Sequence, residues 1–184
     1  MTAVLKLYTT LTDTVLRLLG DWFLPTFARF SFAAVLLFYF WNSALTKIGS
    51  GFFGVFSPTE NAYIQIFPKK FEAVGYDITQ MGVFDWLVAV AGTCAEFILP
   101  FLIIIGLFTR LAALGMTGFV IVQSYVDVVG HGVTGKSLGA WFDGPSDALI
   151  LDQRLMWMVV FAVLFVKGAG PFSVDRLLRQ AVKI

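Results

Sequence analysis

Glu96 is the residue that any function of this chain has to explain. It stands near the middle of the apolar run Phe84–Leu111, beside whose end lies Arg110. At ~1.5 Å per helical residue, that run is long enough to cross a bilayer core of ~30 Å. A carboxylate at such a depth costs roughly 2.5–3.5 kcal/mol even on permissive insertion scales, so it faces a bundle interior, a polar cavity or a partner. Gln123, Asp127 and His131 follow at i, i+4 spacing and therefore share one helix face.

Counting along the chain puts these groups at a common depth. Glu96 lies fourteen residues before Arg110 and Gln123 thirteen after it, so a hairpin turning at Gly106–Arg110 carries both ~20 Å above its turn. The same distance from Arg29 reaches Asn42 and Ser43. The predicted polar layer is thus Glu96, Gln123 and Asn42 or Ser43. Lys47, Asp127 and His131 lie one to two turns further out, with Lys47 in reach of either Asp127 or Glu96. Arg29 and Arg110 form a basic layer at the opposite edge, suited to lipid phosphates or a substrate anion. Such a set has two uses. A carboxyl group can exchange protons while amide and ammonium groups hydrogen-bond a carbonyl, or Glu96 is half of a structural ion pair. His131, between two glycines, also reads as a plain loop residue, Cys94 as a small packing residue, and Arg110 as a surface anchor.

Composition sets the surroundings of these residues. Of 184 residues, 58% are hydrophobic and only 14% charged, where a soluble domain carries roughly 25% charge. Twenty Phe, five Trp and five Tyr suit helices in lipid with aromatics at the interfaces. The net charge of +1 gives nucleic acid no purchase. One cysteine and one histidine exclude an intramolecular disulfide, a CxxC relay and a bis-histidine haem. The carboxylates are not clustered at metal spacing, so no metal site is predicted.

The predicted fold is all-α: an integral membrane bundle of four transmembrane helices, with an amphipathic interfacial helix over residues 1–26 and long outer loops. The membrane domain covers 27–184, with spans at about 27–48, 84–109, 111–129 and 150–167. Val4, Tyr8, Leu11, Val15, Leu18 and Trp22 line one face of the first helix, and Asp13, Arg17 and Asp21 another. It serves either as a lipid anchor or as a helix packed on the bundle's rim. The long connection from Gly49 to Gly82 is either a cap over helix ends or a partner-binding surface. Small residues from Ala112 to Gly118 allow close helix approach. Four spans put both termini on one side. Lys6, Arg17, Arg29, Arg110 and the tail residues Lys167, Arg176, Arg179 and Lys183 mark that side as cytoplasmic.

The chain resembles the DoxX family of small four-helix membrane proteins. The likeness lies in Arg29…Lys47, in Glu96 followed by Pro100 and Gly106-Leu-Phe-Thr-Arg110, in His131-Gly132, and in the tail Gly168-Ala-Gly-Pro-Phe-Ser173-Val-Asp175. It departs from the family's common pattern where the last span opens with Asp152-Gln153-Arg154 in place of a glutamate. The resemblance implies a bacterial inner-membrane protein linked to quinone-dependent oxidation of thiosulfate or thiols, or to oxidative stress. Glu96 then exchanges the quinone's proton, while Gln123, Asn42 or Lys47 hold its carbonyls. Electrons require a partner with a haem, flavin or iron–sulfur group, because the chain has no motif for one. The alternatives are a non-enzymatic anchor or assembly partner, including a homo-oligomer, and a small-solute carrier using Glu96 as its proton site.

Overall fold

The computed structural model describes residues 2–182; the expected basic residue Lys183 lies outside them. Within the described residues every regular element is helical. Helix α1 (Thr2–Leu19) stops at Gly20, where a Cβ would stand 2.5 Å from the Leu16 carbonyl oxygen. The first long helix begins at Phe23, not after the proline. Pro25 sits in its opening turn, where a missing N–H costs no hydrogen bond, so the expected boundary at 26 moves to Gly20–Trp22.

That long helix has three parts: α2 (Phe23–Phe32), a π-helical turn (Ala33–Leu37) and α3 (Phe38–Leu45). Two short helices follow, α4 (Glu60–Ile66) and α5 (Pro68–Ala73). Then come α6 (Val83–Ile105) and α7 (Thr109–Tyr125), the latter extended by a second π turn (Val126–Gly130). Helix α8 (Leu151–Lys167) and the short α9 (Val174–Ala181) end the chain.

Three of these helices are long and apolar enough to cross a membrane: Phe23–Leu45, Val83–Ile105 and Thr109–Gly130. Helix α8 has 17 residues, or ~25 Å, and is shorter than the other three. It packs between α7 and α2, α7 packs on α6, and α6 on α3, so the four long elements close a ring. The end holding the α6–α7 turn is the turn end; the other, holding the long connections, is the loop end.

The turn half of the ring is filled. Phe32, Ile103, Met116, Phe161 and Leu164 are fully buried, and Ala112 and Ala113 bring α7 close to its neighbours. The α6–α7 turn is tight because Gly106 takes φ +69°, a conformation that favours glycine, and the Leu107 N–H bonds back to the Leu102 carbonyl. A Cβ on Gly106 would lie 2.5 Å from that of Ser173.

At the loop end the connection after α3 is ordered. Thr59 N–H bonds the Lys47 carbonyl, and Ala62, Tyr63 and Phe71 of α4 and α5 pack on Ala89 of α6. This connection is therefore a cap over the helix ends. Helix α1 buries none of its residues.

Candidate functional site

Glu96 is 4% exposed and Lys47 likewise, and their side chains meet inside the ring. Lys47 Nζ lies 2.9 Å from Glu96 Oε2 and 3.1 Å from Oε1. It also donates to Ser43, at 2.6 Å to the hydroxyl and 3.1 Å to the carbonyl, and the Ser43 hydroxyl donates to Glu96 Oε1 at 3.0 Å. Of the two partners the sequence left open for Lys47, the fold selects Glu96. The spacing is the reason: Ser43 on α3 and Lys47, four residues on in the turn that follows it, face α6 together. Pro100, one turn beyond Glu96, has no N–H for the Glu96 carbonyl, which weakens the backbone ladder beside the pair.

This ion pair forms one wall of a cavity of 310 Å³. Gln123, Asp127 and His131 line it too, together with Tyr39 and Gly92, so five of the eight residues singled out from the sequence share one space. That volume is at the lower end of the range for small-molecule pockets. Gln123 donates its amide to the Tyr39 hydroxyl at 2.9 Å and leaves Oε1 buried without a partner. His131 is exposed, and its Nε2 lies 3.2 Å from the Gln65 carbonyl of α4, so the cap touches the cavity's rim. Beneath that cap, burial and then the nearby Asp85 charge push the Tyr63 phenol above its ordinary range.

The other three expected site residues lie elsewhere. Asn42 is exposed on α3 and lines no wall of the cavity, because one residue of helix turns it ~100° from Ser43. Arg29 and Arg110 do not form an open basic layer. Arg29 donates through Nε to the Ile103 carbonyl at 2.9 Å and through Nη1 to Ala169 at 3.1 Å and Phe172 at 2.5 Å, and Nη2 bonds the Ile104 carbonyl. It thereby caps the last turn of α6, whose carbonyls have no helical partner. Arg110 is exposed and donates to the Val166 carbonyl at 3.1 Å.

Several polar residues that the sequence reading did not assign also turn out to be structural. Asp175 accepts the N–H groups of Phe108 at 2.7 Å and Thr109 at 3.0 Å, capping α7 from the far end of the chain. Ser173 caps α9 by accepting from Arg176 N–H. Asp85, buried in the first turn of α6, takes the Lys70 ammonium at 2.6 Å and the Gly82 N–H at 2.8 Å. The spacing of Asp85 three residues after Gly82 was the available signal, since that is where a capping carboxylate sits.

The most consequential omission is Arg154. It is 7% exposed and donates to Asp127 Oδ2 at 2.5 Å and to Ser124 Oγ at 2.8 Å, while its Nε is buried without a partner. The second π turn, which contains Asp127, is not visible in the spacing of residues. A second cavity, of 440 Å³, lies against Arg154 and shares Tyr39 and Asp127 with the first. The loop half of the ring is thus hollow and polar, divided by those two side chains. Among the described residues no cluster of His, Cys, Asp or Glu could hold a metal ion.

Fold and site together define an integral membrane protein, all-helical, with buried ion pairs and polar cavities in one half of its helix ring. The model of one family, DoxX, matches residues 24–131, more than half of the chain, and the protein belongs to that family. The match takes in Lys47, Glu96, Gln123, Asp127 and His131 and ends before Arg154 and Asp175. Searches of the curated proteins and of the solved structures find no match.

Proposed function

We propose that this protein is the membrane subunit of a quinone-linked oxidoreductase system, acting on thiosulfate or thiols or in the response to oxidative stress. The observation that carries the reading is the Glu96 cavity: an acid buried among apolar helices yet bordering a space of ligand size. Buried titratable groups beside a cavity mark proton-exchanging sites more often than chance. Glu96 accepts or releases a proton, and Lys47 and Ser43 hold its carboxylate in place. A buried Gln123 oxygen and a buried Arg154 N–H, each without a partner, are the kind of groups a quinone's hydroxyl and carbonyl oxygens would satisfy. Bound quinone supplies two-electron, two-proton chemistry, and the electrons are shared with a partner protein that carries a haem, flavin or iron–sulfur group. Lys47 has no free donor for a carbonyl, because its contacts with Glu96 and Ser43 use its three protons.

In this reading α8 is a fourth span and both termini are cytoplasmic in a bacterial inner membrane. Support comes from the basic residues Arg29, Arg110, Lys167, Arg176 and Arg179 near the turn end, with Lys6 and Arg17 in the helix that precedes α2. The test is Glu96→Gln in native membranes, followed by quinone-dependent oxidation of thiosulfate or thiols and by native mass spectrometry of the purified assembly. Loss of oxidation with the assembly and its quinone retained supports the reading. Undiminished oxidation by a normally assembled variant rules out Glu96 as the proton site.

One observation favours a second reading, an anchor or assembly partner: α1 carries exposed Val4, Leu5, Tyr8 and Leu11 and buries nothing against its own chain. Removing residues 2–19 would then abolish co-purification of a partner while leaving the Glu96 site folded.

A further inference from the structure

The cavity beside Arg154 differs from the Glu96 cavity in what it lacks. Around Glu96 the charges are saturated, with Lys47 held by Glu96 and Ser43. Around Arg154 a donor remains: Nη1 goes to Ser124 and Nη2 to Asp127, while Nε, on a side chain more than nine-tenths buried, has no acceptor. A buried guanidinium N–H is costly to leave unpaired. Its charge, however, is already met by Asp127, so the missing acceptor is a neutral oxygen, not a phosphate or carboxylate. Tyr39, whose oxygen accepts from Gln123, can offer its own proton as a second donor.

Access to this cavity is lateral. Val35, Leu36, Gln153 and Trp157 belong both to its wall and to a groove of 830 Å³ enclosed by the first π turn, α8 and the loop at residues 140–146. Val35 and Met156, each 65% exposed, put its helix walls on the outer surface of the bundle, where lipid chains lie. Those two walls are mostly apolar, the loop adds Asp143 and Ser146, and the groove adjoins the polar compartment. An occupant therefore has a carbonyl-bearing head and a long hydrocarbon tail. The Glu96 cavity shares only Tyr39 and Asp127 with the Arg154 cavity and none of the residues of the groove.

We propose that a quinone enters sideways from the lipid between the first π turn and α8, lays its tail in this groove, and receives a hydrogen bond from Arg154 Nε to a ring carbonyl. The proposal rests on the quinone reading above and adds where the ring is held and how it arrives. Tyr39, in the wall of both compartments, separates that ring from the Glu96 carboxylate.

The test uses the full chain in phosphatidylcholine nanodiscs, with decylubiquinone as the tailed probe and duroquinone as the tailless one. Binding is read by quenching of tryptophan emission, for which Trp157 lies 5.9 Å from the Arg154 guanidinium. Arg154→Lys keeps the charge opposite Asp127 but removes Nε, and should weaken both probes about tenfold. Ser31→Phe, in the wall of the groove and not of either cavity, narrows the groove and should weaken decylubiquinone alone. Gly92→Val narrows the Glu96 cavity, the proton-exchange side of the site, and should leave binding of both probes unchanged while lowering oxidation in native membranes. Loss of binding in Gly92→Val, with wild-type binding in Arg154→Lys and Ser31→Phe, overturns the location and leaves the quinone reading standing. No saturable quenching of the wild type overturns both. Quenching that added phospholipid reverses and that Arg154→Lys leaves at wild-type strength assigns the groove to lipid and also overturns the proposal.

Discussion

At the turn end of the ring, Arg29 and Asp175 direct their polar atoms at backbone groups. At the loop end, Arg154 and Gln123 each keep a buried atom unpaired. Among the described residues, Thr109 Oγ1 is the only buried side-chain polar atom near the turn without a partner. One end holds four helices in a fixed register over a filled core; the other surrounds two cavities with ion pairs. The resemblance that reads as a single motif in the sequence thus divides in two. Arg29, Gly106 and the Ser173-Val-Asp175 tail build the lock, whereas Lys47, Glu96 and His131 border the cavity.

The comparison breaks most visibly if Arg29 is replaced. Arg29→Met leaves four carbonyls without their donor, and the expected loss is on the order of 4 kcal/mol or more. Thermal unfolding of the detergent-solubilised protein should show too little folded material to assay.

At the loop end, Lys47→Met leaves the Glu96 carboxylate buried and alone, which costs about 3–5 kcal/mol. Adding Glu96→Leu should recover most of that loss while leaving the proposed oxidation inactive. A double variant as unstable as the single one would mean that the pair has no role of its own beyond holding α3 to α6.

Gly106→Ala forces a Cβ into a positive-φ position against Ser173, with an expected cost of roughly 1–3 kcal/mol. Melting in the same detergent measures it, and a further Ser173→Gly change should restore part of the loss.

Gln123→Leu is the mildest. It removes the bond to Tyr39 and also an unpaired buried oxygen, so stability should move by less than about 1 kcal/mol. Oxidation in native membranes should nonetheless fall. A large drop in stability here would place the loop half under the same rules as the turn half.

How far the sequence reveals these arrangements depends on whether an interaction is set by spacing within a helix or by contact between distant segments. Hydropathy marks the long helices, and counting from a tight turn is enough to bring Glu96, Gln123 and Lys47 to one cavity. The same counting cannot see which way a side chain points after a π turn. Asp127 lies in one such turn and pairs with Arg154, while Lys47 pairs with Glu96. Nor does spacing show that Arg29 meets Ala169 or that Asp175 caps α7, because those contacts join residues over sixty positions apart. In the sequence the cap reads as one long loop, since α4 and α5 are too short for a clear periodic signal.

The π turn Ala33–Leu37 divides the first long helix between the two ends, with Arg29 before it and Lys47 after it. A π turn amounts to one residue more than an α-helix needs. Without the wide turn to absorb it, that extra residue would rotate everything that follows by about 100° and leave everything before it untouched. Lys47 would swing away from Glu96, and Tyr39 from the partition between the cavities, without disturbing the Arg29 lock. The π turn is therefore what lets such a scaffold change its length by one residue and keep its interior chemistry in register.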